Sequence, residues 1–138
     1  MEEALELFPH LLSRRLNEFT FCGSHDSAAY RMIARGCFQR ALGLVYPLWA
    51  QAQSMTIFEQ LVHGVRFLDL RVGFHECAAL SPTRARSLHC CRGDYHIVHG
   101  PVLGPPLLDV LIQLLDFLTM RAKRDVILIH FVPQTRTR

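Results

Sequence analysis

The chain has 138 residues, half of them hydrophobic, which is enough for the core of one domain and gives no support for two. Its 15 Lys and Arg against 12 Asp and Glu leave a formal charge of +3, too slight for a nucleic-acid footprint, so no nucleic-acid partner is expected. A basic end (Arg121, Lys123, Arg124, Arg136, Arg138) suits either solvent or an anionic membrane surface.

The opening residues 1–6 are acidic, lack a basic n-region and run into Pro9, which is not the pattern of a secretory signal. Apolar spacing over residues 4–16, broken at Pro9, predicts a short, loosely docked helix, and residues 1–18 are read as an N-terminal helical extension. Phe19 to Cys22 is the first predicted strand, ending in the small-residue turn Gly23-Ser24-His25-Asp26-Ser27. A turn that presents His25 and Asp26 side by side suits either a local hydrogen bond or a site at a strand end. Ile33, Cys37, Ala41 and Leu44 recur at three- and four-residue steps and predict a helix between Ala28 and Val45.

Thr56-Ile57-Phe58-Glu59 has the form of a capping box opening a helix to about His63, with Gly64 as its stop. Val65 to Val72 is the second strand. Alternation puts Phe67, Asp69 and Arg71 on one face and Leu68, Leu70 and Val72 on the other. An acid and a base two residues apart on one face of a buried strand either pair structurally or hold something anionic between strands. Residues 73–94 read as a long exposed loop, Tyr95 to His99 as the third strand ended by Gly100-Pro101. Leu107 to Met120 is a strongly apolar helix, predicted mostly buried, with Asp109, Gln113 and Asp116 as a narrow polar stripe. It falls short of the roughly 18 uninterrupted apolar residues of a membrane span, so no transmembrane segment is expected. Asp125 to Val132 is the fourth strand, apolar enough to be parallel and covered on both sides, and residues 133–138 are a polar tail. The order of elements predicts a parallel β/α architecture with His25, Asp26, Asp69, Arg71 and His99 at or near the carboxyl ends of successive strands.

The five cysteines (Cys22, Cys37, Cys77, Cys90, Cys91) form no disulfide framework and read as reduced thiols of an intracellular protein. His75, Cys77, His89, Cys90, Cys91, His96 and His99 are dense enough to raise zinc binding, but no Cys-x-x-Cys pair is present and His96 and His99 fall on opposite faces of a strand. His10, His63 and His75 are assigned to surface or packing.

Gly23-Ser24-His25-Asp26-Ser27, Glu59-Gln60-Leu61 with Gly64 to Arg71, Val98-His99-Gly100 and an apolar strand near Val126 together resemble the X domain of phosphatidylinositol-specific phospholipases C. The likeness covers roughly residues 19–132 and is nearest to the X-domain-only and bacterial branch. It implies an α/β fold, a TIM-barrel-like (β/α) phosphodiesterase, of which about four of eight strands are in this chain, the N-terminal half. It also implies roles. His25 would take the proton of the inositol 2-hydroxyl, and His99, helped by Asp26, would protonate the departing diacylglycerol oxygen. Arg71 would bind a phosphoryl oxygen, with Asp69 holding Arg71 in place. With Arg71 at the strand end the arrangement looks like the metal-independent one, so no cofactor and no metal are expected. The implied partner is phosphatidylinositol or a related phospholipid at a membrane surface, met by a cytoplasmic protein peripheral to membranes. The carboxylate that partners the first catalytic histidine is expected to be missing with the second half, and His130-Phe131-Val132-Pro133 lacks the polar residues usual there. The different-class alternative is a catalytically inactive, truncated X-domain protein that acts as a lipid-headgroup or protein interaction module, its open sheet edges inviting self-association.

Overall fold

Alternation along the second strand sorts its side chains as predicted: Leu68 and Leu70 are fully buried, whereas Asp69 and Arg71 lie on the opposite face. That strand, β2 (Phe67–His75), is the centre of a five-stranded sheet in a computed structural model that describes residues 8–32, 45–75, 94–121 and 125–134. β1 (Gly23–Ser24) runs parallel to it, with Gly23 opposite Phe67 and Ser24 opposite Leu68. β5 (Leu128–Pro133) is also parallel, pairing from Phe67↔Leu128 to Val72↔Pro133. β3 (Asp94–His99) is antiparallel to the far half of β2, from Val72↔Ile97 to His75↔Asp94, and β4 (Val102–Pro106) is antiparallel to β3. Because β5 takes one edge of β2 along residues 67–72, β1 and β3 must share the other, β1 near its start and β3 near its end.

Among the described residues, three helices accompany the sheet: α1 (Val45–Ala50), α2 (Ile57–Val62) and α3 (Leu107–Met120). α2 starts where the capping box requires, with Glu59 N–H donating to the Thr56 hydroxyl and Thr56 N–H donating to Glu59 at 2.7 Å. The backbone bond from Thr56, then its hydroxyl, hold the Glu59 carboxyl below its ordinary value. Gly64 ends the helix at φ +96°, a conformation that costs glycine nothing. α2 and α3 press Ile57, Leu61, Val110, Leu114 and Phe117 onto Leu68, Leu70 and Ile97, and a second cluster joins Ala29, Met32, Ala50 and Val102. Gln113 crosses this core: its Nε2 donates to the Tyr30 hydroxyl at 2.8 Å and its Oε1 accepts from Phe58 N–H. Burial pushes the Tyr30 hydroxyl above its ordinary value, against the opposing pull of that bond.

Several expectations are corrected. The architecture is mixed α/β with a curled sheet, not all parallel, because the two-residue turn Gly100-Pro101 folds β3 back on β4, a strand the sequence reading missed. Gly100 has φ +57°, which suits that turn. The first strand is Gly23–Ser24, not Phe19 to Cys22; pairing begins only at the Cys22 carbonyl, which accepts from Arg66 and Phe67 N–H. The N-terminal helix is two short 3-10 turns within the described residues, Pro9–Ser13 and Leu16–Glu18. Ala28 to Met32 is turn, bend and irregular backbone, with Arg31 at φ 51°, and most of the predicted helix beyond it lies outside the described residues. The predicted loop begins later, since β2 continues through Gly73 to His75, and residues 76–93 lie outside the described ones. α3 buries only Val110, Leu114 and Phe117; Leu108, Ile112 and Leu115 are exposed, because a single sheet face meets the helix. β5 is partly exposed and pairs only with β2 among the described residues, so it is an edge strand, not a covered one. No described helix is long and apolar enough to cross a membrane.

Candidate functional site

The turn after β1 is tied down by buried polar groups. Ser27, fully buried, donates its backbone N–H to Asp69 O and its hydroxyl to Ser24 O, and accepts from Asp69 N–H at 2.9 Å. Gln60, from α2, donates to Ser27 O at 2.7 Å and Met55 O at 3.0 Å, while its Oε1 faces the Ser24 hydroxyl. Gln53 donates to His25 O at 2.7 Å. These bonds hold Asp26 in the left-handed region at φ 48°, which aspartate tolerates better than most residues.

That conformation turns the Asp26 carboxylate inward, 4% exposed, against the more exposed side chains of His25, Arg71 and His99. Arg71 Nε lies 2.5 Å from Asp26 Oδ1, yet the two atoms have no aligned hydrogen bond and no other partner, so charge rather than directed bonding joins them. Arg71 Nη2 reaches His25 Nε2 at 3.2 Å. Asp69 Oδ2 accepts from His25 Nδ1 at 2.9 Å and from Asp26 N–H at 3.3 Å. From the end of β3, His99 Nε2 stands 3.6 Å from Asp26 Oδ2, and its Nδ1 contacts the Ala50 carbonyl at 2.7 Å. Trp49 stacks on the His99 ring at 6.3 Å with the planes 5° apart.

These contacts bear on which nitrogen is available. A carbonyl or carboxylate oxygen accepts only, so His99 carries a proton on Nδ1 against the Ala50 carbonyl; His25 has a carboxylate at each nitrogen, Asp69 Oδ2 at 2.9 Å from Nδ1 and Asp26 Oδ2 at 3.3 Å from Nε2, and the shorter contact favours the proton on Nδ1. Arg71 is a donor only, which agrees with a lone pair on His25 Nε2. All five predicted residues, His25, Asp26, Asp69, Arg71 and His99, therefore meet, but two partnerships differ from expectation. Asp69 orients His25 rather than chiefly holding Arg71, from which it stands 3.7 Å, and Asp26 is the partner of Arg71. The carboxylate placed on His25 Nδ1 is Asp69, because parallel pairing lays the turn after β1 beside the middle of β2. His99 arrives from the end of an antiparallel strand beside mid-β2, not from a parallel carboxyl end.

Four contributors went unread: Trp49, the Ala50 carbonyl, Gln60 and His130. His130 is paired with Asp69 across β2 and β5, shares its face, and lies 3.8 Å from it. The available signal was a lone polar residue in an otherwise apolar strand. His25, Asp26 and Asp69 also bring one ligand atom each within 4.8 Å of one another, the span of a cation site, although the Arg71 guanidinium already supplies positive charge there. Of the proposed zinc cluster, Cys77, His89, Cys90 and Cys91 lie outside the described residues; His75 meets His96 edge to face, and His96 points away to Gly104 O. No family model, curated protein or solved structure matches the chain.

Proposed function

We propose that the chain is a phosphoric diester hydrolase of lipid metabolism, akin to phosphatidylinositol-specific phospholipase C. It would cleave phosphatidylinositol to diacylglycerol and inositol 1,2-cyclic phosphate. The observation that carries this reading is that the Nε2 atoms of His25 and His99 both stand against the Asp26 carboxylate, at 3.3 and 3.6 Å from Oδ2, with Arg71 Nε at its other oxygen. In this reading the curled sheet is part of a TIM-like barrel.

A phosphodiester at this site would place a non-bridging oxygen on Arg71, drawing its Nη2 away from His25 Nε2. The freed Nε2 takes the proton of the inositol 2-hydroxyl, whose oxygen attacks phosphorus, while Asp69 on Nδ1 steadies the imidazolium that forms. His99, protonated on Nε2 beside Asp26 and fixed by the Ala50 carbonyl, gives its proton to the departing diacylglycerol oxygen. The P–O bond to diacylglycerol breaks as the bond to the inositol oxygen forms, which closes the cyclic phosphate.

One observation favours the second reading, a lipid-headgroup or protein interaction module. Arg71 Nε already faces the buried Asp26 carboxylate, so its charge is partly neutralised and an anion on it would be held weakly and reversibly. The experiment is release of inositol 1,2-cyclic phosphate from phosphatidylinositol vesicles in chelator, beside His25→Ala and His99→Ala. Cyclic product lost in both variants supports the hydrolase; vesicle binding without product supports the module.

A further inference from the structure

The Asp69 carboxylate is approached from both ends. Its Oδ2 carries His25 Nδ1 at 2.9 Å and Asp26 N–H at 3.3 Å, while its Oδ1 faces His130 Nδ1 at 3.8 Å, from the neighbouring strand. Among the described residues, no other polar group is placed on Oδ1, and His130 has no nearer polar partner. The placement follows from register: residues paired across a sheet project to the same face, and Asp69↔His130 is one such pair. A gap of 3.8 Å lies within ion-pair range and just beyond a hydrogen bond, a distance that a small rotation of the largely exposed His130 ring would close.

We propose that His130 is a positioning residue, which holds Asp69 Oδ1 so that Oδ2 stays on His25 Nδ1 and His25 keeps its lone pair on Nε2. The carboxylate torsion of aspartate is broad and roughly two-fold, so a carboxylate held at one oxygen only can swing. Held at both, it fixes the tautomer of His25 and thereby the nitrogen left to accept a proton. The line His25–Asp69–His130 joins the turn after β1, the middle of β2 and β5, three segments distant in sequence. The catalytic consequence rests on the hydrolase reading; the tautomer does not.

Long-range proton–nitrogen correlation spectra of ring-labelled histidine, recorded at pH 8, report the tautomer of His25 directly, with His25→Ala to assign its signals. His130 is largely exposed, so His130→Ala should fold as the parent does, and circular dichroism checks this. In the parent chain His25 should be mainly the Nδ1–H form; His130→Ala should lower that fraction at least twofold, and His130→Gln, whose amide can donate to Oδ1, should restore it. On phosphatidylinositol, His130→Ala should lower kcat about tenfold with KM unchanged, the loss of one charge-assisted contact. An unchanged tautomer in His130→Ala overturns the proposal, as does a rise in KM at constant kcat, which would make His130 a ligand contact. A parent chain without turnover whose tautomer nonetheless responds to His130 would sink the hydrolase reading and leave this one standing.

Discussion

An ion pair with a buried carboxylate stands at the start of the β2–β5 pairing, and removing its acid tests what holds β5, and with it His130, in place. Arg66 precedes β2, and its Nε and Nη2 both donate to Asp125 Oδ2, at 2.9 and 2.6 Å, with the carboxylate 2% exposed. Arg66 Nη1 also donates to Leu61 O and Val65 O, its guanidinium lies 4.9 Å above the Phe117 ring, and its own carbonyl accepts Leu128 N–H at the start of β5. Asp125→Ala would strand a buried guanidinium, a change that usually costs 3–5 kcal/mol. Since Arg66 keeps two carbonyl acceptors, about 2–4 kcal/mol is expected, or roughly a 10 °C fall in Tm at this size. Burial alone would raise the Asp125 carboxyl; the hydrogen bond and charge of Arg66 outweigh it and leave the group below its ordinary value of 3.8. A carboxyl depressed in the folded state contributes stability above its unfolded value and loses it as pH falls through the folded one. The difference between parent and variant should therefore be full at pH 7 and shrink below about pH 4. Urea unfolding monitored by far-ultraviolet circular dichroism at pH 7, 5 and 3 measures it. A cost under about 1 kcal/mol at pH 7, or a difference that grows as pH falls, refutes the reasoning.

Three further outcomes follow from the same geometry. Thr56→Ala should destabilise by about 1 kcal/mol through loss of the α2 cap, seen as a lower urea midpoint at unchanged slope, and the depressed Glu59 carboxyl makes the parent's cap weaken as pH falls. Ser27→Ala leaves the buried Asp69 N–H without its acceptor and should cost about 2 kcal/mol; a thermal midpoint within 1 °C of the parent would contradict the hydrogen-bond assignment. Arg71→Lys retains the charge but cannot reach Asp26 and His25 at once, so turnover should fall by about two orders of magnitude with circular dichroism unchanged, whereas a drop under threefold would remove Arg71 from the chemistry.

The particular residues show what local pattern can and cannot say. The capping box at Thr56 and Glu59, the glycine stop at Gly64, the α3 limits and the two faces of β2 were all legible, because each depends on neighbours within four residues. The residue types of the site were legible for the same reason: His25 and Asp26 stand in a small-residue turn, and Asp69 and Arg71 share a strand face. Their partners were not. Asp69 pairs with His25 and Asp26 with Arg71 because the turn after β1 is laid across the middle of β2, about forty residues along the chain, by the Ser27 bonds. His130 enters only because β5 pairs with β2 in a register that matches it to Asp69; a slip of one residue would send it to the helix side. The direction of β3 was likewise decided by the turn at Gly100 and by contact with β2, since an alternating strand reads the same whichever way it runs. Sequence periodicity thus determined which side chains face inward and which chemistry was at hand. Register and chain crossing, which arise from contacts far apart in sequence, decided which carboxylate serves which base.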